Sequence, residues 1–145
     1  MNDPEPAATT VGARMTPDAV VVHADQPLQD AARLLEQHRI HGLPVVDGAG
    51  CLVGVVSQSD MLRARTNEHL WSSWPGLKVR HLMSTPALVI GADATLDEAA
   101  ARMERERVHR LVVVADDGVT PVGIITTTDI VHAMVRSAPT EEAAR

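Results

Sequence analysis

One stretch of this chain occurs twice. Gly54-Val55-Val56-Ser57-Gln58-Ser59-Asp60 returns as Gly123-Ile124-Ile125-Thr126-Thr127-Thr128-Asp129, and the match runs far to the N-terminal side of both. At an offset of 68 positions Met15 falls on Met83, Ala24-Asp25 on Ala92-Asp93, Ala31-Ala32 on Ala99-Ala100, Arg39 on Arg107 and His41 on His109. One residue inserted in the second hairpin then shifts Gly54, Asp60 and Leu62 onto Gly123, Asp129 and Val131. Self-similarity of this extent marks one supersecondary unit written twice. At 145 residues the chain is about one domain, large enough to bury ~70% of its unfolded surface.

Each copy reads β-α-β-β-α. Ala19 to Val22 and Ala87 to Ile90 are short runs with β-branched residues, predicted as strands. Leu28, Ala31, Ala32 and Leu35 recur at i, i+3, i+4 and i+7, as do Leu96, Ala99, Ala100 and Met103, which predicts amphipathic helices. Thr95 with Glu98 has capping-box spacing, and Pro27 supplies a first-turn proline. Hairpins follow, Leu43 to Val46 turning at Asp47–Gly50 into Leu52 to Val56, and Leu111 to Val114 turning at Asp116–Gly118 into Val122 to Ile125. The final helices are expected to open at Ser59 and Thr128. The organisation expected is a disordered tail over 1–10, repeat 1 over 11–64, a connector over 65–78, repeat 2 over 79–136 and a second tail over 137–145. The connector carries Trp71 and Trp74 in a helical extension ending near Pro75, packed on the body or on a second subunit, with stacking on a ligand base as the alternative.

Composition narrows the function. Phe and Tyr are absent, so the core must be aliphatic. A formal charge of −6 disfavours a broad DNA- or RNA-binding surface. No apolar run approaches the ~20 residues of a membrane span. Met1 to Pro6 lacks the basic and apolar regions of a secretory signal, and Cys51 is a lone cysteine, so a cytoplasmic location is expected. His38 and His41 have no partner at metal-ligand spacing, and no nucleophile elbow or phosphate-binding P-loop is present, so neither a metal site nor an enzyme is expected.

The repeated motif admits two chemical readings. A hydroxyl at a strand end followed by a helix N-terminus offers donors and a positive dipole end to an anion. Ser57 or Thr126, helped by Ser59 or Thr128, would then sit beside a phosphate, and Asp60 or Asp129 would accept from two ribose hydroxyls. Alternatively Ser59 and Thr128 are N-caps and the aspartates favour the helix dipole, worth ~1 kcal/mol each. Arg102, Arg105 and Arg107 alternate with Glu104 and Glu106 as a solvated helix face does.

Met15-Thr16-Pro17 and Met83-Ser84-Thr85-Pro86, Ile40 to Asp47 and Val108 to Val114, and the two glycine-to-aspartate motifs together resemble a tandem pair of cystathionine-β-synthase (CBS) domains, a Bateman module, over roughly residues 11 to 136. The resemblance implies an α+β fold of two β-α-β-β-α repeats about a pseudo-twofold axis, with two clefts and a homodimer. It also implies a regulatory module for AMP, ADP, ATP, S-adenosylmethionine or NAD(H), with or without Mg²⁺ and with no required cofactor. One cleft would join Thr85, Val108, His109 and Arg110 to Ser57, Ser59 and Asp60; the other would join Thr16, Ile40 and His41 to Thr126, Thr128 and Asp129. Val108-His109-Arg110-Leu111-Val112 is similar to strands that reach nucleotide phosphates in the family, whereas the first copy has Gly42 where the second has Arg110. The partners expected are an adenosine-containing small molecule, a second copy and a regulated protein, with no nucleic acid and no membrane. The alternative is a ligand-independent dimeric interaction scaffold with vestigial clefts.

Overall fold

The structure is a computed structural model and describes residues 9–137. Along the chain run α1 (Val11–Arg14), β1 (Thr16–Pro17), β2 (Val22–His23), α2 (Leu28–His38), β3 (Gly42–Val46), β4 (Leu52–Ser57), α3 (Gln58–Thr66) and α4 (Glu68–Ser72). After a 3₁₀ turn at Trp74–Gly76 come α5 (Val79–Leu82), β5 (Val89–Gly91), α6 (Leu96–Glu106), β6 (Arg110–Val114), β7 (Pro121–Thr126) and α7 (Thr127–Ser137). The expected α+β pattern of two β-α-β-β-α copies is present. Each copy is preceded by a short helix, α1 or α5, that the sequence reading had not resolved.

The compact units are not the contiguous repeats. One joins Asp18–Leu88 with Val119–Pro121; the other joins residues 9–17 with Val89–Gly118 and residues 122–137. Each unit therefore holds the body of one repeat and the lead-in segment of the other. In the first-repeat unit the strand order is β2-β3-β4, with β2 parallel and β4 antiparallel to β3. The amphipathic face read from the sequence is the buried one: Leu28, Ala31 and Leu35 of α2 pack with Val22, Leu43, Val45 and Val56 of the sheet and with Val79 and Leu82 of α5. In the second-repeat unit the order is β1-β7-β6-β5. Leu111 to Val114, Ile125, Ala99, Met103 and Val11 are buried there.

The repeated glycine is explained by a close backbone crossing. Val55 of β4 exchanges two hydrogen bonds with Ser84 of the lead-in segment (N to O 3.0 Å, and 2.8 Å in return). A Cβ on Gly54 would stand 2.7 Å from the Ser84 carbonyl oxygen. In the other unit β1 pairs with β7 through Thr16 opposite Ile124, and a Cβ on Gly123 would stand 2.7 Å from the Thr16 carbonyl oxygen and 2.5 Å from the Met15 sulfur. Met83 and Met15 are thus the flexible fillers beside a position that tolerates no side chain.

Both first strands are shorter than predicted, and a proline accounts for the difference between them. Because the N–H and C=O of Val55 face Ser84, those of its cross-strand partner Pro44 face away from β4, toward β2. Pro44 has no N–H to donate, and β2 starts only at Val22 opposite Val45. In the second repeat Val112 replaces Pro44, and β5 starts one residue earlier, at Val89 opposite Val112.

The other expectations are adjusted by local chemistry. Asp47 Oδ1 accepts from Ala49 and Cys51 N–H groups, and Gly50 takes φ +83°, closing the first hairpin as read. Thr95 accepts from Glu98 N–H as the capping spacing predicted, whereas Pro27 is the N-cap residue of α2 rather than lying inside its first turn. Two residues of the expected N-terminal tail are held in place: the Thr9 carbonyl accepts from the Leu96 N–H, and Thr10 caps α1. Of the tails expected at 1–10 and 137–145, residues 1–8 and 138–145 lie outside the described residues, and Ser137 ends α7. The connector is helical but broken, α3 giving way to α4 at Asn67 and α4 to the 3₁₀ turn Trp74–Gly76 that contains Pro75. Trp74 packs against the core of the first-repeat unit, and Trp71 is tilted against it with centroids 5.3 Å apart. No helix among the described residues is long and apolar enough to cross a membrane.

Gly54→Ala is expected to cost ~1–3 kcal/mol in chemical denaturation, because backbone rather than a flexible side chain must yield. Gly48→Ala, where nothing lies within 4 Å, should stay within about 0.5 kcal/mol. A second expectation concerns the helix ends at Arg39 and Arg107, which close α2 and α6 in the left-handed conformation at φ 53° and 56°. Arg39→Gly should raise stability by about 0.5–1 kcal/mol, read as a higher Tm.

Candidate functional site

The duplicated motif is first of all a helix cap. In the first-repeat unit Asp60, at the third helical position of α3, accepts through Oδ2 from the Ser57 N–H (2.7 Å) and the Ser57 hydroxyl (3.1 Å). In the second-repeat unit Asp129 Oδ2 accepts from the Thr126 N–H (2.8 Å) and hydroxyl (3.0 Å), and Thr126 Oγ1 accepts from the Asp129 N–H (3.2 Å). The helices therefore open one residue earlier than expected, at Gln58 and Thr127, and the N-cap of α3 is Ser57, two residues before Ser59. Both Ser-Gln-Ser and Thr-Thr-Thr offer hydroxyls two apart. The aspartate selects the earlier one because its carboxylate must reach back three residues to the strand end.

This cap changes what the helix end can offer an anion. The first helical N–H is already taken in each copy: Gln58 donates to the His41 carbonyl (2.9 Å) and Thr127 to the His109 carbonyl (3.0 Å). A phosphate here would thus rely on the exposed hydroxyls of Ser59 and Thr128 and on nearby cations more than on a bare row of amides.

Of the residues expected in one cleft, Thr85, Ser57, Ser59 and Asp60 share the first-repeat unit. The Thr85 Cγ2 lies 3.1 Å from where a Gly54 Cβ would be, so the lead-in crossing brings it to the strand that carries the motif. Val108, His109 and Arg110 belong to the second-repeat unit. Of the residues expected in the other cleft, Thr16, Thr126, Thr128 and Asp129 share the second-repeat unit, whereas Ile40 and His41 belong to the first. Within its own unit each motif abuts its own repeat's histidine, through the Gln58 and Thr127 bonds just described. Val108 and His109 also line an open groove of about 440 Å³, with Met103 of α6 and Thr127 and Ile130 of α7. Thr127 and Ile130 were not singled out from the sequence, since helical periodicity marks them only as ordinary helix positions.

Burial separates the two aspartates. Asp60 is 4% exposed, and its other oxygen, Oδ1, is 3.3 Å from Nη2 of Arg63. Asp129 is half-buried. Arg102, read as part of a solvated face, instead donates to the Val89 carbonyl at 2.9 Å and ties α6 to β5, while Arg105 pairs with Glu106 at 3.7 Å. Among the described residues no three His, Cys, Asp or Glu side chains gather as a metal site would require.

A profile of the CBS domain matches residues 10–67 and 79–136. The chloroplastic CBS domain-containing protein CBSX2 of Arabidopsis thaliana is 32% identical over 153 residues, covering 88% of this chain and 64% of its own length. The crystal structure of CBSX2 in complex with AMP matches with a TM-score of 0.75 and 35% identity over 88% of this chain and 97% of that one. The CBS domain pair of protein MJ0100, in complex with 5′-methylthioadenosine and S-adenosylmethionine, matches with a TM-score of 0.77 and 26% identity over 89% and 98%. The γ-3 subunit of bovine AMP-activated protein kinase is 34% identical over 124 residues, which are 83% of this chain and only 25% of the subunit. With two profile matches spanning most of its length, this chain belongs to the CBS domain family, as a tandem pair of CBS domains.

Proposed function

We propose that the chain is a regulatory module that binds an adenosine-containing ligand and converts occupancy into altered dimer geometry or partner affinity. The observation that carries this reading is the duplicated carboxylate and hydroxyl cluster, Ser57 to Asp60 and Thr126 to Asp129, in a chain similar to proteins solved with AMP and with S-adenosylmethionine. Asp60 and Asp129 accept from ribose hydroxyls, Ser59 and Thr128 donate to the phosphate or its replacement, and Thr85 and Thr16 flank the two sites. A ligand changes the balance of states only by its differential affinity for them. No resident cofactor is required; Mg²⁺ enters only with a polyphosphate.

His109 and Arg110 supply cationic and donor groups to the ligand whose ribose is held by Asp60, and Ile40 and His41 serve the ligand of Asp129. A double-mutant cycle tests this assignment without reference to any assumed geometry. Arg110→Ala should couple to Asp60→Ala by more than ~0.5 kcal/mol in ligand binding and be additive with Asp129→Ala. Coupling to Asp129 instead would reverse the assignment.

A second reading has one observation in its favour. Both oxygens of Asp60 are engaged within the protein, as expected of a vestigial cleft in a dimeric interaction scaffold. Calorimetric titration with AMP, ADP, ATP, S-adenosylmethionine and NADH separates the two. Micromolar to millimolar binding, weakened about tenfold or more by Asp60→Ala or Asp129→Ala, is expected. Thermal melts run alongside should show the ~1 kcal/mol lost with the cap, which keeps that effect apart from ligand contact. No heat from any of the five at millimolar concentration, with a protein partner captured equally with and without nucleotide, would leave the scaffold.

A further inference from the structure

The two ligand sites proposed above differ at a residue one helical turn beyond the aspartate. In the first repeat Arg63 occupies that place, and a single nitrogen, Nη2, reaches two acceptors: Asp60 Oδ1 at 3.3 Å and the Leu82 carbonyl at 2.9 Å. Leu82 ends α5 and leads directly into Met83–Thr85, the segment laid across Gly54. In the second repeat the corresponding residue is His132, which turns along its own helix and accepts from Arg136 Nε at 3.2 Å.

We infer that Arg63 is an affinity-setting latch. It competes with the ligand for Asp60 Oδ1 and, when displaced, releases the carbonyl of Leu82. This rests on the nucleotide reading, because only a ligand that donates to Asp60 opens the latch. Asp60 Oδ2 already accepts two donors from Ser57, so Oδ1 is where two ribose hydroxyls find acceptor capacity, and the guanidinium stands on it. The contact suits exchange. At 3.3 Å it is longer than the 2.7–2.9 Å of a tight charged hydrogen bond, and the Arg63 side chain is 55% exposed, free to swing into water. The consequence is an asymmetric pair. The Asp60 site is held back by its own arginine and is mechanically tied to the lead-in segment, and the Asp129 site lacks this device.

The test is titration of AMP and S-adenosylmethionine into Asp129→Ala, which isolates the Asp60 site, and into Asp129→Ala with Arg63→Met, which keeps the apolar stem and removes the guanidinium. Affinity should rise about three- to tenfold in the second protein, with Arg63→Lys intermediate. Conversely, His132→Arg in an Asp60→Ala background should weaken the Asp129 site. In the otherwise wild-type protein, ligand should shift the Leu82 carbonyl carbon resonance toward its position in Arg63→Met. Binding that is unchanged or weakened by Arg63→Met, or ligand binding that leaves the Leu82 carbonyl unmoved, overturns the latch while the nucleotide reading stands. Heat from Arg63→Met but not from wild type supports it in its strongest form. Silence from every protein and both ligands removes the nucleotide reading, and the latch with it.

Discussion

At Gly54 two backbone segments pass so close that a methyl group cannot be inserted between them, and the same contact recurs at Gly123. Much of the molecule follows from this crossing. It engages the outward-facing polar groups of Val55, so β4 presents no open edge there. It brings the lead-in of one repeat against the body of the other, delivering Thr85 to the motif at Ser57–Asp60 and the Leu82 carbonyl to Arg63. It also aims the backbone of Pro44 toward β2, where the absent N–H shortens the first strand.

Much of the fold was legible because the signals were local and doubled. The helix faces of Leu28, Ala31 and Leu35 and of Ala99 and Met103 are read from spacing alone, and the hairpins are read from Asp47, Gly50 and Gly118. The exchange of lead-in segments was legible only through the family resemblance, which joined Thr85 to Ser57 and Thr16 to Thr126; no periodicity connects Val55 to Ser84 or Thr16 to Ile124. The opening of α3 was misplaced because Ser57 and Ser59 are equally good caps on paper. What separates them is the reach of the Asp60 side chain, a three-dimensional fact.

The candidate site was legible as chemistry and less so as accessibility. The residue types singled out, hydroxyl and carboxylate at a strand-to-helix turn, do cluster, and they cluster in both repeats. The sequence offered no sign that the first helical amide is taken by a histidine carbonyl, or that Asp60 is buried where Asp129 is not. Arg102 was read as part of a solvated helix face, and Arg63 was not singled out. Each instead holds a backbone carbonyl distant in sequence, and nothing in their spacing could have named that partner.

The connector has an optical consequence. Trp71 and Trp74 are the only aromatic residues of the Phe, Tyr and Trp class in the chain, so near-ultraviolet absorbance and intrinsic emission arise from this one pair, with no background from either repeat. Trp74 lies against the core of the first-repeat unit, and the Arg65 guanidinium sits 4.5 Å from the centre of the Trp71 ring. Any rearrangement that moves α3 relative to the connector changes the charge and packing around a chromophore that stands alone. The protein carries, unlabelled, its own fluorescent reporter in the segment that links its two repeats.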